Sequence, residues 1–143
     1  MPRRERSRQG KTVGETKKIL IAEDDPASRE LLLEILDLMG YEVIAACDGA
    51  EALQKIGETL PDLALLDIQM PTLDGFAVLQ RIRQDARFAN LPVIALTAYA
   101  MKEDREKTLR AGFNAHISKP VNVAVLRSQI EHHLSAKTGS NPF

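Results

Sequence analysis

The chain has 143 residues, 44% of them hydrophobic and 27% charged, with a formal net charge of -1. That is enough chain for one domain with one core, and too little net charge for a global field that gathers nucleic acid or a membrane surface. Cys47 is the single cysteine, so no internal disulfide forms, and with only His116, His132 and His133 beside it a Cys/His metal site is excluded too.

Residues 1–18 carry seven basic side chains against two acidic ones, a net of +5, which leaves -6 for the rest. Residues 1–16 lack an apolar run and read as a disordered basic tail, neither signal peptide nor membrane anchor. A cytoplasmic location fits this and the lone thiol. Lys18–Ala22 is a short continuous apolar run, as in a strand covered on both faces. Residues 26–40 read as a helix: Leu32, Ile35, Leu36 and Met39 recur at helical spacing, and Gly40 sits where a helix-ending glycine belongs. Residues 41–46 are the second strand. Asp48, with Glu51 three residues on, resembles a capping box opening a second helix whose stripe is Leu53, Ile56 and Leu60.

Residues 63–66 are the third strand, and residues 67–74 a loop with Pro71 and Asp74-Gly75 as turn chemistry. Phe76, Leu79 and Ile82 mark the third helix. Residues 93–96 follow Pro92 as the fourth strand. Lys102–Ala111 is a nearly all-polar helix ending at Gly112, and its thin apolar stripe predicts loose attachment. Residues 115–117 form the fifth strand. Asn122 caps a last helix with Val123, Leu126, Ile130 and Leu134 as its stripe, and residues 136–143 read as a disordered tail. Five strand–helix repeats imply an α/β fold with a parallel sheet covered by helices on both faces, over residues 17–135.

In such sheets function gathers where strands end. The first strand runs into Glu23-Asp24-Asp25, the third into Asp67, the fourth into Thr97 and the fifth into Ser118-Lys119-Pro120. Asp25, before Pro26, also suits a helix N-cap. Each residue alone has a bland reading: a solvated acid, a strand-end hydroxyl, a surface lysine. Their joint placement on one rim does not. Packed carboxylates repel unless a cation intervenes; Mg²⁺ accepts one or two of them with waters and a phosphate oxygen. A carboxylate can itself be the nucleophile that takes up a phosphoryl group. The reading needs an oxygen of Asp67 that stands open to attack phosphorus; a carboxylate that is buried, or more than a water's breadth from both the acidic pair and the lysine, ends it.

Taken in order, Ile19 to Asp25, Pro61 to Pro71, Asp74-Gly75, Pro92 to Ala98 and Ser118-Lys119-Pro120 resemble the response-regulator receiver domains of two-component signalling. The resemblance implies a doubly wound (βα)5 flavodoxin-like sheet of strand order 2-1-3-4-5. It implies that Asp67 is the phosphoacceptor, with Mg²⁺ or Mn²⁺ held by Asp67, by Asp24 directly, by Glu23 through water and by the backbone carbonyl of Gln69. Thr97, the backbone of Ala98 and Lys119 contact the phosphoryl group, His116 takes the place of a switching ring, and Lys119-Pro120 is a cis peptide. The implied partners are a sensor histidine kinase or histidine phosphotransfer protein and a downstream protein target, with the chain a monomer or weak dimer. It is no enzyme beyond its own phosphorylation and dephosphorylation. The wording around Ala98 to Lys102 is similar both to single-domain cell-cycle regulators and to receivers of hybrid histidine kinases. No DNA-binding helix-turn-helix is read after Leu134, so direct DNA binding is not expected.

Three other readings compete with this one. A phosphatase of the haloacid-dehalogenase type wants an acid two residues after the nucleophile, where this chain has Gln69. A receiver fold that takes no phosphate is expected to lack Asp67, Thr97 or Lys119. A flavodoxin-like nucleotide binder needs a glycine-rich loop after the first strand, and none is present.

Overall fold

Five short apolar runs become five parallel strands: β1 (Lys18–Ala22), β2 (Glu42–Ala46), β3 (Leu63–Asp67), β4 (Val93–Thr97) and β5 (Ala115–Ser118), in the order β2-β1-β3-β4-β5. The structure, a computed structural model, describes residues 16–98 and 102–137. Residues 1–15, 99–101 and 138–143 lie outside it, and with them most of the two expected tails and Tyr99 to Met101. Five α-helices are described: α1 (Pro26–Leu38), α2 (Gly49–Thr59), α3 (Gly75–Gln84), α4 (Lys102–Ala111) and α5 (Val123–Lys137). None of them is long and apolar enough to cross a membrane.

Alternation along each strand sends side chains to opposite faces. Leu20, Ala64, Leu66 and Ala95 pack with Ile56 of α2 and Leu79 of α3 on one side. Ile19, Ile21, Leu65 and Ile94 pack with Leu36 of α1 and Ile130 of α5 on the other. Each Leu or Ile buried here contributes about 1.5–3 kcal/mol relative to exposure, and the two-sided burial explains why strands read as unbroken apolar runs.

Several element ends differ from expectation. Residue 41 precedes β2, while β3, β4 and β5 each extend one residue further than their apolar runs, because the ladder carries Asp67, Thr97 and Ser118 as well. Helix α1 stops at Leu38 with Met39 as its cap, and Gly40 takes the φ of 95° that turns the chain. Leu60 is not part of the α2 stripe: it leaves the helix in a left-handed conformation and is 55% exposed, while Ala52 is buried in its place. Val123 is likewise exposed, at the start of α5. Helix α5 runs through Lys137, two residues beyond 135. The short 3₁₀ turn Ala86–Phe88 was not foreseen; its one buried side chain, Phe88, offers no periodicity to read. On α4 the buried position is Thr108, whose hydroxyl bonds back to the Asp104 carbonyl at 2.8 Å. Lys107 of the same helix lies over the Phe76 ring of α3, 5.3 Å from its centre.

One guanidinium gathers the amino-terminal edge of β4 and β5. Arg83 at the end of α3 donates to the carbonyls of Phe88 (3.0 Å), Leu91 (2.7 Å) and Gly112 (3.3 Å) and to Asn114 Oδ1 (3.0 Å). Asn114 Oδ1 in turn accepts the Val93 N–H at 2.9 Å.

The capping signals hold with one change. Asp25 and Asp48 accept from Ser28 and Glu51 N–H at 2.9 and 2.8 Å, and Asn122 accepts from Val125 N–H at 3.0 Å. Glu51 returns its bond one residue earlier than a capping box does, taking the Cys47 N–H at 2.7 Å, and pairs with Lys55 at 2.9 Å. The Cys47 bond and then Lys55 hold the Glu51 carboxyl down to about 2. A depressed carboxyl stabilises the fold above its unfolded value near 4.5 and loses that contribution as pH falls through about 2. Glu51→Gln is therefore expected to lower the melting temperature at pH 7 and to have a much smaller effect at pH 2–3, checked by thermal melts of both chains at each pH.

Candidate functional site

The strand ends that carry functional groups form one rim. Parallel register sets Asp67 opposite Leu96 and Thr97 opposite Ser118, and the Lys119 N–H donates to the Thr97 carbonyl at 2.8 Å. On the other side of β3, the Glu23 N–H donates to the Ala46 carbonyl at the end of β2, at 3.1 Å.

Lys119 reaches across β4 to the centre of this rim. Its Nζ lies 2.7 Å from Glu23 Oε1 and 2.7 Å from Asp67 Oδ2. The remaining oxygens accept backbone donors: Glu23 Oε2 takes the Asp25 N–H at 3.2 Å and Asp67 Oδ1 the Gln69 N–H at 2.9 Å. Glu23 and Asp67 are buried, whereas Asp24 is exposed. One oxygen from each of the three carboxylates falls within 4.8 Å of the others.

Burial pushes the Glu23 carboxyl above its ordinary range; the Lys119 bond opposes this without cancelling it, and neighbouring Asp67 adds to the rise. Burial pulls Lys119 down, but its bonds to Asp67 and Glu23 outweigh that and leave the ammonium above its usual value. Three carboxylates and one ammonium make a formal cluster charge of -2. That uncompensated charge, presented by hard oxygen donors, fits a divalent cation of the Mg²⁺ type.

The Asp67 carboxylate does not stand open as the chemistry asks. The residue is 3% exposed and each oxygen already holds one hydrogen bond. That departs from the open oxygen the sequence reading requires, while its other requirement, closeness to the acidic pair and to Lys119, is met. Each carboxylate oxygen keeps a second acceptor position, and Lys119, 23% exposed, marks the side on which the cluster meets water.

Local sequence holds the acid in place. Gly75 opens α3 and donates its N–H to the Ile68 carbonyl at 3.0 Å. A Cβ there would sit 2.8 Å from Ile68 Cα and 3.0 Å from the Asp67 carbonyl oxygen, so the loop after Asp67 closes this tightly only around glycine. Of the other expected site residues, Thr97 is buried next to exposed Ala98, Gln69 is exposed, and half-buried His116 pairs with Ala95 in the β4–β5 ladder. The Lys119-Pro120 peptide is cis.

Arg29 was not foreseen. Its Nη1 donates to the carbonyls of Glu23 (2.9 Å) and Asp24 (3.4 Å). A signal existed: a cation in the first turn of a helix opposes the helix dipole and calls for a partner.

The response regulator receiver domain family matches residues 19–131. The polar-differentiation response regulator DivK of Brucella ovis is 39% identical over 119 residues, 83% of this chain and 97% of the relative. A response regulator from Chloroflexus aurantiacus superposes with a TM-score of 0.81 at 33% identity, over 85% of this chain and 99% of that one. The receiver domain of a sensor histidine kinase from Pseudomonas aeruginosa, solved with magnesium coordinated in its active site cleft, gives 0.78 at 32% identity, over 84% and 98%. Sequence, sheet order and rim chemistry agree, and the chain belongs to the response regulator receiver domain family of two-component signalling, a family of phosphorylation-dependent switches.

Proposed function

We propose that Asp67 accepts a phosphoryl group and that the phosphorylated chain signals through protein contacts. The observation that carries this is the convergence on Asp67 of a buried acid, an exposed acid and a shared ammonium, all brought from other strand ends. Glu23, Asp24, Asp67 and the Gln69 carbonyl are the residues that would hold Mg²⁺, which when bound neutralises charge on the transferring phosphoryl oxygens. An Asp67 oxygen forms the bond to phosphorus as the bond from phosphorus to the donor breaks, and the donor leaves with that electron pair. Lys119 exchanges a carboxylate oxygen for a phosphoryl oxygen, and the Thr97 hydroxyl and Ala98 N–H supply neutral contacts. His116, two positions before Ser118 on β5, carries the change toward α4 and α5.

The donor is a phosphohistidine on a sensor kinase or phosphotransfer protein. Water attack on the acyl phosphate restores the carboxylate and releases inorganic phosphate, which ends the signal. Incubation with acetyl phosphate and Mg²⁺, followed by intact-mass and peptide mass spectrometry, is expected to show one phosphoryl increment on Asp67 that hydroxylamine removes. No increment at that residue, with acetyl phosphate consumed to the same extent with and without the protein, overturns the assignment.

A further inference from the structure

Three consecutive carbonyls in the loop that carries the acidic pair turn toward a single residue. Arg29 Nη1 takes the carbonyls of Glu23 and Asp24 at 2.9 and 3.4 Å, and the Arg29 backbone N–H takes that of Asp25 at 2.9 Å. The loop is strapped from its other edge as well, by the Glu23 N–H on the Ala46 carbonyl and the Asp25 N–H on Glu23 Oε2. With their carbonyls drawn to α1, the peptide planes of residues 23 and 24 have little freedom to rotate. Their side chains are thereby held on the rim where Lys119 and Asp67 meet Glu23.

We infer that Arg29 is a positioning residue for the acidic pair: its guanidinium, acting through two backbone carbonyls, sets the geometry in which Glu23 and Asp24 present oxygen to a divalent cation. This rests on the cation-dependent reading above.

The inference is sharp because the charge of Arg29 and its hydrogen bonds make opposite predictions. A guanidinium near an acidic cluster repels a cation, so if Arg29 acted only as a charge, removing it would tighten cation binding. If it acts by holding the loop, removing it weakens binding, as loss of partners that orient metal ligands does, by about tenfold or more. Lysine keeps the charge but lacks the planar fork.

Mn²⁺ affinity, read from water-proton relaxation, and amide exchange of residues 23–25 without metal are measured on the full chain as wild type, Arg29→Lys, Arg29→Gln and Arg29→Ala. Expected are a Kd raised about tenfold in Arg29→Gln and Arg29→Ala, a smaller rise in Arg29→Lys, and faster exchange at Glu23 and Asp25, with exchange in β3 unchanged. An unchanged or lower Kd in Arg29→Gln, or wild-type exchange at residues 23–25, overturns the inference. Wild-type protein that binds no Mn²⁺ sinks the cation reading, and the exchange measurement then decides the role of Arg29 by itself. A variant with faster exchange throughout β1 and β3 shows general unfolding, and Arg29 is then a residue of the fold and not of the site.

Discussion

Asp67→Asn is expected to reduce phosphoryl incorporation from acetyl phosphate to the level of a protein-free blank. The amide keeps the shape of the acid and an oxygen for the Gln69 N–H, now 2.9 Å from Oδ1. It removes the charge that makes the group a nucleophile, and covalent catalysis has no second route when the attacking atom is lost. Its single oxygen cannot accept from both the Gln69 N–H and Lys119 Nζ, but that loss is set against a gain. Asp67 and Glu23 share one ammonium, so neutralising one of them relieves like-charge repulsion. The melting temperature of metal-free Asp67→Asn is therefore expected to equal or exceed that of the wild type, which separates loss of chemistry from loss of structure. Label uptake at the wild-type rate would place the acceptor elsewhere.

Lys119→Ala carries the largest expected cost to stability. It leaves Glu23, 1% exposed, and Asp67, 3% exposed, as neighbouring buried carboxylates with no cation between them. Removing one partner of a buried pair costs about 3–5 kcal/mol, and the lower end applies here because the ammonium is itself partly solvated. The pH dependence has a definite sign. The Glu23 carboxyl is already raised by burial with Lys119 present, and without it rises further. A folded state that binds a proton more tightly than the unfolded chain loses stability as pH rises through the folded pKa, and regains it as pH falls toward the ordinary carboxylate value. The variant should thus gain on the wild type as pH drops from 7 toward 5, by denaturant titration at each pH, and millimolar Mg²⁺ at pH 7 should restore part of the loss. A cost independent of pH and of Mg²⁺ would mean that Lys119 stabilises by packing alone.

The sheet was legible because parallel strands buried on both faces are written as unbroken apolar runs, and the helix starts because Asp25, Asp48 and Asn122 announce them. Residues that do not follow a period were not legible. Leu60 looks like the next member of a stripe, and only the left-handed turn at the end of α2 shows that the helix has stopped one residue earlier. The rim was predicted from which residues end strands, and the structure brings Glu23, Asp24, Asp67 and Lys119 together as a cluster. Arg29 escaped because its contacts are with backbone carbonyls, which carry no residue identity. The burial of Asp67 escaped for a different reason: a sequence places the acid at a strand end, but how deeply it sits depends on the loops and side chains packed around it.

The two ends of the sheet answer to different stimuli. At the carboxyl end the cohesion is ionic, with Lys119 held between the Glu23 and Asp67 carboxylates, so it answers to protons and cations. At the amino end the hydrogen bonds of the Arg83 guanidinium go to uncharged oxygens; burial lowers its pKa, yet arginine stays protonated in proteins, and none of these partners titrates in the physiological range. A phosphoryl group gained at one pole, as proposed above, would therefore change the charge of no Arg83 partner at the other.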